Sequence, residues 1–129
     1  MSKKQIIRPT DSELEILQVL WENGPQSVRF VNELLNEERE VGYTTTLKIM
    51  QIMFEKGLVD RDDSSRTHIY RAKVKEEEIQ KDLLDKFVDT AFRGSAAQLV
   101  MSALGNGKAS REELDEIKML IEKLENKKS

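Results

Sequence analysis

Residues 43–72 read YTTTLKIMQIMFEKGLVDRDDSSRTHIYRA. The first fourteen, 43–56, place Leu47, Met50, Met53 and Phe54 at helical spacing on one face. Thr44, Thr45, Lys48 and Gln51 fall on another face. Gly57 follows as a C-cap, where a left-handed backbone conformation ends a helix at little steric cost. Two short strand candidates come next, 58–61 and 67–72. The five residues between them, Asp62, Asp63, Ser64, Ser65 and Arg66, are hairpin-turn chemistry. A helix, a glycine and a hairpin in thirty residues set the pattern for the first half of the chain.

Two further helices are predicted before this unit. Thr10 and Glu13 form a capping box in which each satisfies an amide the other leaves open. Leu14, Leu17, Leu20 and Trp21 follow at helical spacing, and Gly24-Pro25 stops the helix. Ser27 caps a second helix with a stripe of Val28, Val31, Leu34 and Leu35, and 36–40 is a polar, acidic loop. Residues 1–8 read as a short basic lead-in. Three helices followed by a two-stranded wing over 58–72 is the order of a winged helix-turn-helix, here assigned to residues 1–73.

From Val74 the strand-forming residues nearly vanish. A helix over about 75–92 carries Ile79, Leu83, Leu84, Phe87, Val88 and Ala91 at spacings of three and four. Gly94 ends it. A short helix over about 95–104 is apolar on most sides, with Leu99, Val100, Met101 and Leu104. Gly105-Asn106-Gly107 breaks that, and Ser110 with Glu113 forms a second capping box. The last helix carries Leu114, Ile117, Ile121 and Leu124 as an a/d seam, and the tail 126–129 is expected to fray. The fold class is therefore mainly α: an N-terminal winged helix-turn-helix, then a three-helix C-terminal dimerisation region over residues 74–129. Three thin helices expose more apolar face than they cover among themselves. Burial against a second copy is the expected solution, through Leu83, Phe87, Val100, Leu104, Leu114, Ile117, Ile121 and Leu124. Packing back onto the N-terminal half is the competing one.

The chain has 129 residues, 21 basic and 24 acidic, with 35% charged. Soluble, charge-rich helix surface follows from a charged fraction above the usual ~25%. No apolar run approaches the roughly 20 residues of a membrane span, and the start lacks the apolar core of a signal peptide, so a cytoplasmic protein without membrane insertion is expected. The absence of cysteine excludes disulfides, thiolate zinc sites and cysteine nucleophiles. One histidine argues against most imidazole-based metal sites and catalytic networks. No nucleophile–carboxylate arrangement and no glycine-rich phosphate loop is present. The expectation is no catalysis, no metal and no cofactor. Trp21 and the methionines Met50, Met53, Met101 and Met119 read as packing residues.

Neither half of the chain is basic, so any polyanion site must come from local charge placement. One such place exists. From Val41 through Phe54 there is no acidic residue, in a chain where nearly one in five is acidic. A surface facing phosphates needs such a gap. Tyr43 opens that helix, Lys48 supplies a cation, and Thr44, Thr45 and Gln51 supply short polar groups suited to base edges and thymine methyls. The hairpin adds Arg61, Arg66, His68 and Arg71. Arg66 at the tip is the best candidate for a phosphate or minor-groove contact, and His68 reads as a strand residue near the backbone. Two other readings stay open. The acidic balance and the wing acids Asp62 and Asp63 suit a winged-helix module that binds protein. A ligand-responsive repressor holding a small molecule is the third.

The segments DSELEILQVLW (11–21), GPQSV (24–28), GYTTTLKIMQIMFEKGLVDR (42–61) and THIYRA (67–72) resemble the winged-helix repressors of the penicillinase-repressor (BlaI/MecI/CopY) family. The resemblance continues through GSAAQLVMSAL (94–104) and is nearly full length. It implies a homodimer bound to a double-stranded, inverted-repeat operator upstream of resistance or stress genes. The 43–56 helix would enter the major groove, and the wing would lie along the backbone. Carried over by position, Thr44, Thr45 and Lys48 match helix positions that touch DNA in relatives. A further contact position, often Arg in the family, is Ile52 here, which leaves the base preference open and gives Gln51 a part in the reading. Relatives of the beta-lactam branch are inactivated by proteolysis, commonly at an Asn-Phe bond. The matching place here is 99–103, which lacks that pair and leaves Ser102-Ala103 as the candidate bond. Induction by a membrane sensor-protease system is the family expectation. The cysteine cluster of the copper branch is missing, so the resemblance implies no copper sensing.

Overall fold

The computed structural model describes residues 7–128, so most of the basic lead-in and the final Ser129 lie outside the described residues. The elements are α1 (Asp11–Asn23), β1 (Gln26–Ser27), α2 (Val28–Leu35), α3 (Tyr43–Lys56), β2 (Val59–Asp62), β3 (Ile69–Ala72), α4 (Glu76–Phe92), α5 (Ala96–Gly105) and α6 (Arg111–Lys128). The predicted winged helix-turn-helix and the three-helix C-terminal region are both present.

Local chemistry explains the boundaries. At α1 the Thr10 hydroxyl accepts from Glu13 N, and the Glu13 carboxylate accepts from Thr10 N at 2.9 Å. Ser27 Oγ accepts from Phe30 N to start α2. Gly57, at φ +83°, ends α3 in the left-handed conformation that a side chain would oppose. Ser110 and Glu113 close the second capping box at α6. That helix runs through Lys128, past the point where fraying was expected.

The wing hairpin pairs Val59 with Ala72 and Asp62 with Ile69 in antiparallel register. A third strand, β1, adds to it, with Gln26 opposite Tyr70, so the sheet order is β1-β3-β2. β1 is two residues long, the second of them the α2 cap Ser27, and so short a stretch carries no alternation that would mark it in the sequence.

Ile16, Leu17, Leu20, Val28, Val31, Leu35, Met50, Met53, Leu58, Val59 and Tyr70 form one core. Leu14, expected on the α1 stripe, is only half-buried, while Ile16 is sealed. The core side of α1 is Glu13, Ile16, Leu17 and Leu20, at the three-and-four spacing of one helix face. Phe54 departs further: it is exposed, because its helix position turns it from the core toward the wing. Trp21 packs against the core and its Nε1–H donates to Val74 O at 3.0 Å.

The chain divides into two compact units, Met1–Leu83 and Leu84–Ser129. The second holds little core of its own. Among the described residues its one buried hydrophobic is Val88, and α5 buries none. Of the four methionines read as packing residues, Met50 and Met53 are sealed, but Met101 and Met119 are exposed in the single chain.

Candidate nucleic-acid interface

The loop before α3 sets where that helix points. Asn32 Nδ2 donates to Val41 O at 3.0 Å and to Thr46 Oγ1 at 2.9 Å. Asn36 Nδ2 donates to Val41 O at 2.8 Å, and its Oδ1 accepts from Val41 N. At the other end, Lys56 Nζ lies 2.7 Å from Glu13 Oε1, the same oxygen that accepts from Thr10 N. Glu13 is 3% exposed, so this pair ties the start of α1 to the end of α3 in a screened-off place. Lys56 is thereby a structural cation.

With both ends fixed, α3 buries Thr46, Met50 and Met53 and turns Tyr43, Thr44, Thr45, Lys48, Gln51 and Ile52 outward. Three consecutive threonines thus do two different things. Thr46 is fully buried and holds the loop, while Thr44 and Thr45 remain open to solvent. Gly42 caps the helix without a side chain, so no side-chain cap hydrogen-bonds the amides of the first turn. Open amides at a helix start attract phosphate.

The wing lies beside this helix. Tyr43 lines one hollow together with Arg66, His68 and Arg29, the last from α2. Arg29 carries no local signal in the sequence, being a lone exposed cation off the apolar stripe of α2. It also pairs with Glu33 at 3.6 Å. Lys48, Gln51 and Ile52 line a second hollow with Phe54, Glu55 and Arg61. Arg66 and Lys48 are exposed and make no ion pair among the described residues.

The other wing arginines are engaged within the fold. The Arg61 guanidinium stacks 4.3 Å from the Phe54 ring centroid, and its Nε lies 2.7 Å from Asp63 Oδ1. Arg71 pairs across the strands with Asp60 at 3.6 Å, matching their register. His68 stands one residue before β3, exposed, with Nδ1 3.5 Å from Asp63 Oδ1. Asp62 Oδ1 accepts from Ser64 N at 2.9 Å, and the Ser64 hydrogen bonds hold its carboxyl below the ordinary aspartate value. Both wing acids that suited a protein-binding module therefore have partners inside the hairpin.

Acidity gathers elsewhere. Glu15, Glu22, Glu37 and Glu38 surround a hollow with Arg39 that shares no residue with the two on α3. Arg39 grips Glu15 with two contacts of 2.6 Å, and this hydrogen bonding keeps the Glu15 carboxyl below its ordinary value.

In the second unit, Phe87, Val100, Ile121 and Leu124 are about half exposed, and Leu84, Met101, Met119 and Leu120 join them. Leu104, Leu114 and Ile117 are half-buried, as is Leu83 at the end of the first unit. Ser102 and Ala103 lie inside α5. Among the described residues no group of three or more His, Cys, Asp or Glu is placed to hold a metal ion. Nor is any described helix long and apolar enough to cross a membrane.

A family profile described as "Penicillinase repressor" matches residues 9–123. The penicillinase repressor of Bacillus licheniformis is 22% identical over 125 residues, covering 97% of this chain and 98% of that protein. The methicillin resistance regulatory protein MecI of Mammaliicoccus sciuri is 20% identical over 114 residues, covering 88% and 93%. Among solved structures, the solution structure of the DNA binding domain of the repressor BlaI superposes with a TM-score of 0.51 at 21% identity. It covers 59% of this chain and 93% of that one, and the likeness is one of fold.

Proposed function

The chain belongs to the penicillinase-repressor (BlaI/MecI/CopY) family of winged-helix DNA-binding transcriptional repressors, and from that premise we propose that it binds an inverted-repeat operator as a homodimer. In this reading α3 enters the major groove through Tyr43, Thr44, Thr45, Lys48 and Gln51. The wing follows the backbone through Arg66 and His68. The observation that carries it is the outward stripe of α3: uncharged or cationic from Tyr43 to Ile52, with open first-turn amides, on a protein whose net charge is −3. A polyanion partner fits that stripe and fits the acidic hollow around Glu15 badly.

Residues 1–73 serve as the DNA-binding region and 74–129 as the self-association region. Support for the second comes from the apolar side chains that the single chain leaves in water. Each large one buried on association contributes roughly 1.5–3 kcal/mol. Two-fold symmetry then presents two copies of α3 to half-sites about one helical turn apart. The setting is cytoplasmic, and the regulated genes are resistance or stress genes. Relief comes from proteolysis at Ser102-Ala103, signalled by a membrane sensor-protease system. Because that bond sits in a helix, α5 must open locally before a protease takes it as an extended strand.

An electrophoretic shift with the promoter region of the chain's own operon tests the central claim. Binding is expected, with log affinity falling against log salt by about 0.9 per phosphate neutralised. Lys48→Glu is expected to abolish the shift while leaving the unfolding midpoint unchanged. Retained affinity in that variant would refute the assignment of this face. For the relief step, mass spectrometry of the induced cellular protein should show a break between residues 102 and 103; an intact chain under induction rules it out.

A further inference from the structure

Ile52 stands out on α3. At roughly 100° per residue, Gln51, Thr44, Lys48, Ile52 and Thr45 share a sector of roughly 120° opposite the buried residues Thr46, Met50 and Met53. Ile52 lies in that sector between Lys48 and Thr45, one turn beyond Lys48, and is 39% exposed. It lines the hollow that also holds Lys48 and Gln51. It is absent from the core cluster and from the side chains packed against it. A branched apolar side chain is therefore left partly exposed on a polar stripe, outside the packing of the core.

We propose that Ile52 is a specificity-determining residue that reads the C5-methyl of a thymine in each half-site. This rests on the reading that α3 enters the major groove. An isoleucine side chain neither donates nor accepts a hydrogen bond. The one apolar group that base pairs display in the major groove is the thymine methyl. A cytosine at that position would set its N4–H₂ donor against hydrocarbon and leave it unpaired. Gln51, the preceding residue, has the amide that pairs with adenine N6 and N7. Two neighbouring positions of α3 thus select A·T pairs by different means, one by hydrogen bonds and one by apolar contact. Glu55 closes the stripe one turn later with a carboxylate, which keeps the phosphates away from that end and confines reading to the part of the helix that ends at Ile52.

The test starts with selection from random duplexes by the full-length protein, which yields the operator. Each thymine of a half-site is then replaced singly by uracil, which removes the methyl and keeps the pairing. Affinities are measured at one salt concentration for the wild type and Ile52→Ala. One thymine per half-site is expected at which uracil weakens the wild type about fourfold, the value of one buried carbon. Ile52→Ala is expected to bind both operators alike. Selection with Ile52→Arg is expected to exchange that base pair for one with guanine, which Arg pairs through O6 and N7. Indifference of the wild type to every uracil overturns the proposal. So does a uracil penalty that persists in Ile52→Ala, since Thr44 or Thr45 then reads the methyl. A wild-type protein that enriches no duplex overturns the DNA reading itself, a result distinct from both.

Discussion

The threonines at 44, 45 and 46 show how little residue type says without a direction. Thr46 is sealed and bonded to Asn32, and its neighbours are open. The same holds for lysine: Lys56 is paired with Glu13, and Lys48 is not paired among the described residues. From this contrast, Lys48→Ala should weaken binding evenly across operator sequences and lower the salt slope by about two, one phosphate no longer neutralised in each half-site of the dimer's operator. A titration series in potassium chloride reads both. Glu15 offers a pH-dependent case. Its carboxyl titrates below its ordinary value of 4.5 because Arg39 hydrogen-bonds the charged form. The unfolded chain therefore binds the proton first on acidification. The stabilising contribution is complete above pH 4.5 and is lost as pH falls through the lower folded value. Urea unfolding across that window should show Glu15→Gln losing less stability on acidification than the wild type. Equal slopes would remove Arg39 as the cause.

At the level of elements, the joint between α3 and the wing sets the geometry of the candidate interface. Gly57 turns the chain at φ +83°, and Arg61 then bridges Phe54 of α3 and Asp63 of the wing. A Cβ at Gly57 meets Ile7 Cδ1 only at 3.8 Å, so space is not the obstacle. The left-handed backbone is. Gly57→Ala should cost about 1–2 kcal/mol in a thermal or urea melt, with the fold retained. A neutral result would mean that the C-cap relaxes to another conformation. The wing hairpin follows from its turn residues, whereas β1 had no signal of its own. It exists because Tyr70 and Ile69 offer an edge that two residues between α1 and α2 happen to reach.

On the scale of the whole molecule, the first unit is self-sufficient and the second is not. Eleven side chains close one core in the first, while the second leaves its apolar residues largely in solvent. Isolated faces of this kind associate. Replacing Ile121 and Leu124 together by Glu should convert a sedimenting dimer into a monomer at micromolar concentration. Operator affinity should fall with it, because a monomer brings one reading helix to the DNA in place of two. A wild-type chain that sediments as a monomer would refute self-association.

The sequence by itself determined the order of elements apart from β1, the α3 bounds, four of the caps, and the acid-free stretch from Val41 to Phe54. These are local properties: spacing, capping oxygens and glycine write themselves into neighbouring residues. Nearly all of the candidate site residues were legible for that reason. Tertiary structure alone decided that Phe54 turns away from the core to Arg61 and that Ile52 is left on the outward stripe of α3. It also decided that Lys56, Arg61 and Arg71 spend their charge within the fold, and that Arg29 joins Tyr43. Those facts depend on partners up to 43 residues away in the chain, as Glu13 is from Lys56. A charge shows its type in sequence, but the carboxylate that neutralises it is found only when the chain has folded.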